Sequence, residues 1–115
     1  MSVTIYHNPK CSKSRQTLGL LGEYSITPVI IEYLKSPPSA KELKEILAQL
    51  GFSPRDLMRK KEAEYSECRH PSLSDDELID LMIKNPILIE RPIVLANGKA
   101  ALGRPPEQVL EILAP

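Results

Sequence analysis

YHNPKCSKSRQTL, residues Tyr6 to Leu18, sets a cysteine between the end of one apolar run and the start of a helix-forming one. Upstream, VTIY (Val3–Tyr6) is short and rich in β-formers, which predicts a strand. Downstream, a helix is predicted from about Ser12 to Leu21, with Gly22 as its stop. PVIIEY (Pro28–Tyr33) then predicts a second strand, apolar enough in sequence to be buried on both faces. A strand, a crossover helix and a strand make a β-α-β unit with parallel strands.

Working outward, SPPSAKELKEILAQLG predicts a helix opened by a capping box of Ser39 and Glu42. Leu43, Ile46, Leu47 and Leu50 form its apolar stripe, and Gly51 ends it. Ser53 and Pro54 predict the cap and first position of a short helix. A polar, charged loop is expected over Lys60 to Leu73. Ser74 and Glu77 then open another helix before Pro86. Near the C-terminal end, Asn97-Gly98 is a strong hairpin signal joining strands of about Pro92–Ala96 and Lys99–Leu102. A closing helix is expected from about Pro105 to Leu113. The order is β-α-β, a helical stretch, then β-β-α. That is an α/β chain of thioredoxin-like fold, one domain over residues 1–115, with a helical insertion at about 39–86 between its halves.

Composition narrows the function. With 115 residues the chain suggests one domain able to bury a core without staples. Fifteen Lys and Arg balance fifteen Asp and Glu, so no basic excess favours nucleic acid or a membrane surface. No apolar run approaches a membrane span, and MSVTIYHNPK lacks the charged and apolar regions of a signal peptide. A cytoplasmic location and a monomer are the expectations. There, two cysteines, Cys11 and Cys68, are not expected to form a structural disulfide. Two cysteines and two histidines without metal-ligand spacing predict no metal site.

Cys11 is therefore either a packed filler or a reactive thiol. A thiolate is the nucleophile, and its pKa falls at a helix N-terminus beside cations. Cys11 precedes the predicted helix and has Lys10, Lys13 and Arg15 close in sequence. Ser12 and Ser14 either let an anion approach the backbone N–H groups of the helix start or simply cap the helix. A tyrosine-phosphatase loop is excluded, because the position needing its arginine is Thr17. His7 either favours the Cys11 thiolate or serves a backbone group. Cys68 and His70 lie in the expected polar loop. His70 is read as solvated, and Cys68 as incidental unless that loop folds over the site.

Four stretches together resemble the ArsC family of glutaredoxin-coupled arsenate reductases: YHNPKCSKSRQTL, DLMRKKEAEY, NPILIERPIVL and LGRPPEQVLEIL. The likeness covers nearly the whole chain. It implies a nucleophilic Cys11, with Arg59, Arg91 and Arg104 binding an oxyanion. His7, Ser14 and Arg15 match positions that shape the thiolate, and Pro92 resembles the cis-proline that faces the cysteine. Where well-studied members carry Gly-Thr after the cysteine, this chain has Ser12-Lys13. The resemblance also implies arsenate as substrate, glutathione as co-substrate, glutaredoxin as protein partner, and no tightly bound cofactor. Ser14 stands where a C-x-x-C motif would carry its second cysteine, so Cys11 must pass oxidation to an outside thiol. The Spx regulators of transcription share the fold and supply a rival reading. Many of them use C-x-x-C as a switch, which Ser14 removes.

Overall fold

The computed structural model describes residues 2–113. The chain divides into two compact units, one running to Ser36 and resuming at Arg91, the other spanning Pro37–Glu90.

The first unit holds a four-stranded mixed sheet of order β2-β1-β3-β4. Strand β1 (Val3–His7) pairs parallel to β2 (Val29–Glu32) and antiparallel to β3 (Ile93–Ala96), which pairs with β4 (Lys99–Leu102). Helix α1 (Ser12–Glu23) makes the crossover from β1 to β2. The arrangement is thioredoxin-like. One face is built by strand alternation: Val3 and Ile5 of β1 and Val94 and Ala96 of β3 pack with Leu21 of α1, Val109 and Ile112.

Local chemistry explains most boundaries. The β3–β4 turn uses positive φ at both Asn97 (55°) and Gly98 (72°), the geometry of a type I′ hairpin. Helix α1 does not stop at Gly22 as expected. It runs to Glu23, and Ser25 takes the left-handed conformation at φ 59°. Ile26 N–H then reaches Leu21 O at 3.0 Å and Ser25 N–H reaches Gly22 O at 2.9 Å, closing a Schellman motif one turn later than the glycine suggests. The expected burial of β2 is also corrected. It is an edge strand, with Val29 58% and Ile30 49% exposed, because β1 pairs with it on one side only. The closing helix is a 3₁₀ segment, Pro106–Ile112.

The second unit carries α2 (Ala40–Leu50), α3 (Pro54–Leu57) and α4 (Asp75–Lys84). The capping boxes of Ser39 with Glu42 and Ser74 with Glu77 are both formed. Leu43, Ile46 and Leu47 are buried, as are Leu78, Ile79 and Met82. The stretch from Lys60 to Leu73 is not simply a polar loop. It contains a 3₁₀ turn, Ala63–Cys68, with Tyr65 and Cys68 buried. No helix among the described residues is long and apolar enough to cross a membrane.

Candidate active site

The loop between β1 and α1 is held closed by its own side chains. Asn8 Oδ1 accepts from Lys10 N–H at 3.0 Å, an Asx turn, and Cys11 N–H donates to Asn8 O at 3.0 Å. The first turn of α1 secures the rest. Ser14 Oγ accepts from Asn8 N–H at 3.0 Å and shares a 2.6 Å hydrogen bond with His7 Nδ1. Arg15 Nη1 donates to Pro9 O at 2.9 Å. Ser14 is fully buried and so serves as a fastener between β1, the loop and the helix.

Cys11 is the N-cap residue of α1, in extended conformation. Its thiol is left for chemistry in a place where the helix N-terminus favours negative charge. Burial, the largest single influence, pushes the thiol up. It is outweighed by the Ser14 N–H, the Arg91 charge, the Lys13 N–H and a hydrogen bond from the Arg91 side chain, so the Cys11 pKa lies below the ordinary 9.0. Cys11 as a residue is only 7% exposed, so these N–H groups and the guanidinium act with reduced screening from water.

His7 is 6% exposed, and burial lowers its pKa, with Glu32 pushing up and Arg15 pushing down. Neutral imidazole is thus the favoured form at pH 7, partnered by Ser14 rather than by a backbone group.

Arg91 precedes Pro92 in a cis peptide at the start of β3, and Arg104 precedes Pro105 in another just beyond β4. Arg104 Nη1 donates to Arg91 O at 3.1 Å, so the β3–β4 hairpin brings these residues together within the unit that carries Cys11. Arg59 belongs to the helical unit. Its N–H donates to Leu88 O at 2.7 Å and its Nη2 pairs with Glu62 Oε2 at 3.0 Å. Cys68 is also in that unit, fully buried, with its carbonyl accepting from Arg55 Nη1 at 2.7 Å. Burial pushes its thiol above the ordinary 9.0, against a smaller downward pull from Arg55 and with a still smaller upward push from Glu67.

Three residues that frame the Cys11 site were not singled out from the sequence. Asn8 carries the Asx turn, which the Asn-Pro pair signals. Thr17 is fully buried and bonds Lys13 O at 2.8 Å through its hydroxyl. Gly103 donates to Pro92 O at 2.9 Å, and a Cβ there would fall on the Thr17 hydroxyl and within 2.7 Å of Pro92 Cγ. No sequence spacing marks Gly103, because the close approach arises only when β4, β3 and α1 come together.

Residues 6–112 match the ArsC family. The chain belongs to the ArsC family. Among its relatives, the uncharacterized protein YfgD of Escherichia coli K12 is 55% identical over 114 residues, covering 96% of both chains. The arsenate reductase of Rhizobium meliloti strain 1021 is 47% identical over 115 residues, 98% of this chain and 82% of that one. A solved arsenate reductase from Vibrio cholerae superposes with a TM-score of 0.93 at 56% identity, over 97% of this chain and 98% of that one.

Proposed function

We propose that the protein is an arsenate reductase in which Cys11 is the nucleophile and two outside thiols, glutathione and glutaredoxin, supply the electrons. The observation that carries this reading is the Cys11 thiol, lowered in pKa by the N–H groups of the α1 N-terminus and hydrogen-bonded by Arg91. ArsC relatives named arsenate reductases support it.

In the proposed cycle the Cys11 thiolate attacks arsenic and water leaves, giving a thiol-arsenate ester. Arg91 stabilises the thiolate and the incoming oxyanion alike, since guanidinium matches the paired oxygens of a tetrahedral anion. Arg104, which bonds the Arg91 carbonyl, adds a further oxyanion contact. Glutathione attacks the arsenic of the adduct and a second water leaves; the glutaredoxin thiol then attacks the glutathionyl sulfur, breaking its bond to arsenic and leaving the electron pair there. Two thiols become one mixed disulfide, arsenic(V) becomes arsenic(III), and water hydrolyses the remaining Cys11–arsenic bond to release arsenite and the Cys11 thiol. Ser14 suits this scheme because no neighbouring thiol competes for the oxidised sulfur.

The test is arsenate-dependent NADPH oxidation with glutathione, glutaredoxin and glutathione reductase, comparing wild type with Cys11→Ser. Turnover that depends on Cys11 and on both thiol donors is expected. A folded wild type without turnover, or turnover surviving in Cys11→Ser, overturns the proposal. Recovery of RNA polymerase by an inactive protein would turn attention to the regulator reading.

A further inference from the structure

Thr17, in the second turn of α1, is fully buried, yet it carries a hydroxyl where valine would fill the same space. Its Oγ1 donates to Lys13 O at 2.8 Å. Bonding back to the carbonyl four residues earlier is a common way for a helix threonine to satisfy its hydroxyl. What is particular here is the carbonyl it meets. Lys13 O and Ser14 N–H belong to one planar peptide unit. At the other end of that unit the Ser14 N–H donates to the Cys11 sulfur, and it is the largest of the influences that favour the thiolate. The Thr17 hydroxyl, the Lys13–Ser14 peptide and the Cys11 sulfur thus form one hydrogen-bonded chain. The space for the hydroxyl comes from Gly103. A Cβ there would fall on Thr17 Oγ1, 3.1 Å from Thr17 Cγ2 and 2.7 Å from Pro92 Cγ. Gly103 is itself tied to Pro92 O through its N–H at 2.9 Å.

We propose that Thr17 is a positioning residue for Cys11: its hydroxyl holds and polarises the Lys13–Ser14 peptide, so that the Ser14 N–H is a well-aimed, strong donor to the sulfur. This rests on the reading that Cys11 works as a thiolate. The effect has two parts. A second donor on the Lys13 carbonyl steadies the peptide plane, and with it the direction of the N–H. A carbonyl that accepts a hydrogen bond also draws electron density from its amide nitrogen, and each bond in such a chain strengthens the next by roughly 10–30%. The gain falls mainly on the thiolate, because bonds that end on an anion are the strong ones. Thr17 touches no reacting atom and acts only through the peptide.

The test is the pH midpoint of Cys11 alkylation in Thr17→Val, Thr17→Ala and Thr17→Ser, each alone and combined with Arg91→Ala, with melting temperatures to establish folding. Val keeps the shape and loses the hydroxyl, Ala removes the hydroxyl without added bulk, and Ser keeps the hydroxyl. Val and Ala are expected to raise the midpoint by about half a pH unit, a roughly threefold smaller thiolate fraction well below it, and Ser to leave it within about 0.2 unit. Because Thr17 also lies near Pro92, the Arg91→Ala background separates the peptide from the arginine, and the same rise is expected there. A midpoint that stays put in the folded Val and Ala variants, whatever their melting temperatures, overturns the proposal and makes Thr17 a packing residue. A rise in Ser equal to that in Val overturns it, as does a rise that vanishes once Arg91 is gone. A wild-type midpoint at or above 9.0 defeats the thiolate reading, and this inference with it.

Discussion

Cys11 and Cys68 are both buried and both close to an arginine, yet their thiols are pushed in opposite directions. Burial is the largest influence on each and raises both. The difference is what surrounds the sulfur. Cys11 caps a twelve-residue helix, whose free N–H groups of Lys13 and Ser14 point at it, and Arg91 adds a charge and a hydrogen bond. Cys68 ends a 3₁₀ turn, and Arg55 spends its donors on the carbonyls of Cys68 and His70 and on the Tyr65 hydroxyl. The arginine beside Cys68 holds a loop. The arginine beside Cys11 donates to the sulfur. Proximity to a guanidinium is not activation unless the donors reach the thiol.

The contrast breaks most sharply at Cys11 itself. Cys11→Ser is expected to lower arsenate turnover by roughly 10³-fold or more in the coupled assay, since the proposed covalent adduct forms on its sulfur. Arg91→Ala follows, with turnover down by roughly 10²-fold, the usual size for one removed anion-stabilising donor. The same variant is expected to raise the pH midpoint of Cys11 alkylation, moving Cys11 toward Cys68. Gly103→Ala tests the frame rather than the sulfur. Its new methyl meets Thr17 and Pro92, and a loss near the upper end of about 1–3 kcal/mol is expected in urea denaturation. Cys68→Ser is the counterpart of Cys11→Ser. It buries a hydroxyl for about 1 kcal/mol and leaves turnover within about twofold.

The smallest effect is on stability against pH, and the two thiols act with opposite sign. Cys11 has a depressed pKa in the fold, so its contribution grows as pH rises from that lowered value to 9.0 and is lost as pH falls through it. Cys68 has a raised pKa, so stability is lost as pH rises above 9.0 toward the raised value. Urea midpoints across pH 7 to 11 should show Cys11→Ser abolishing the rise and Cys68→Ser abolishing the fall.

Much of the fold was legible because it is written in local signals. Ser39 with Glu42, Ser74 with Glu77, and Asn97-Gly98 each act over four residues or fewer, and all formed as read. Strand β2 misled because an apolar run states what a strand prefers, not how many neighbours it has. Gly22 misled because Ser25 could adopt the left-handed turn instead. For the site, the placement of Cys11 at a helix start was legible. The joining of Arg91 to Cys11 was not, because the two are eighty residues apart and meet only through the β1–β3 pairing. Nor was the role of Ser14 as a fastener of His7 and Asn8, which depends on distances no spacing contains.

The most direct measurement is the alkylation rate of each cysteine in the folded protein from pH 5 to pH 10, resolved by mass spectrometry of the labelled peptides. The account predicts a Cys11 midpoint below 9.0, faster labelling than a free thiol at pH 7, and a Cys68 that stays protected throughout. A Cys11 midpoint at or above 9.0, or equal labelling of the two cysteines, would contradict it.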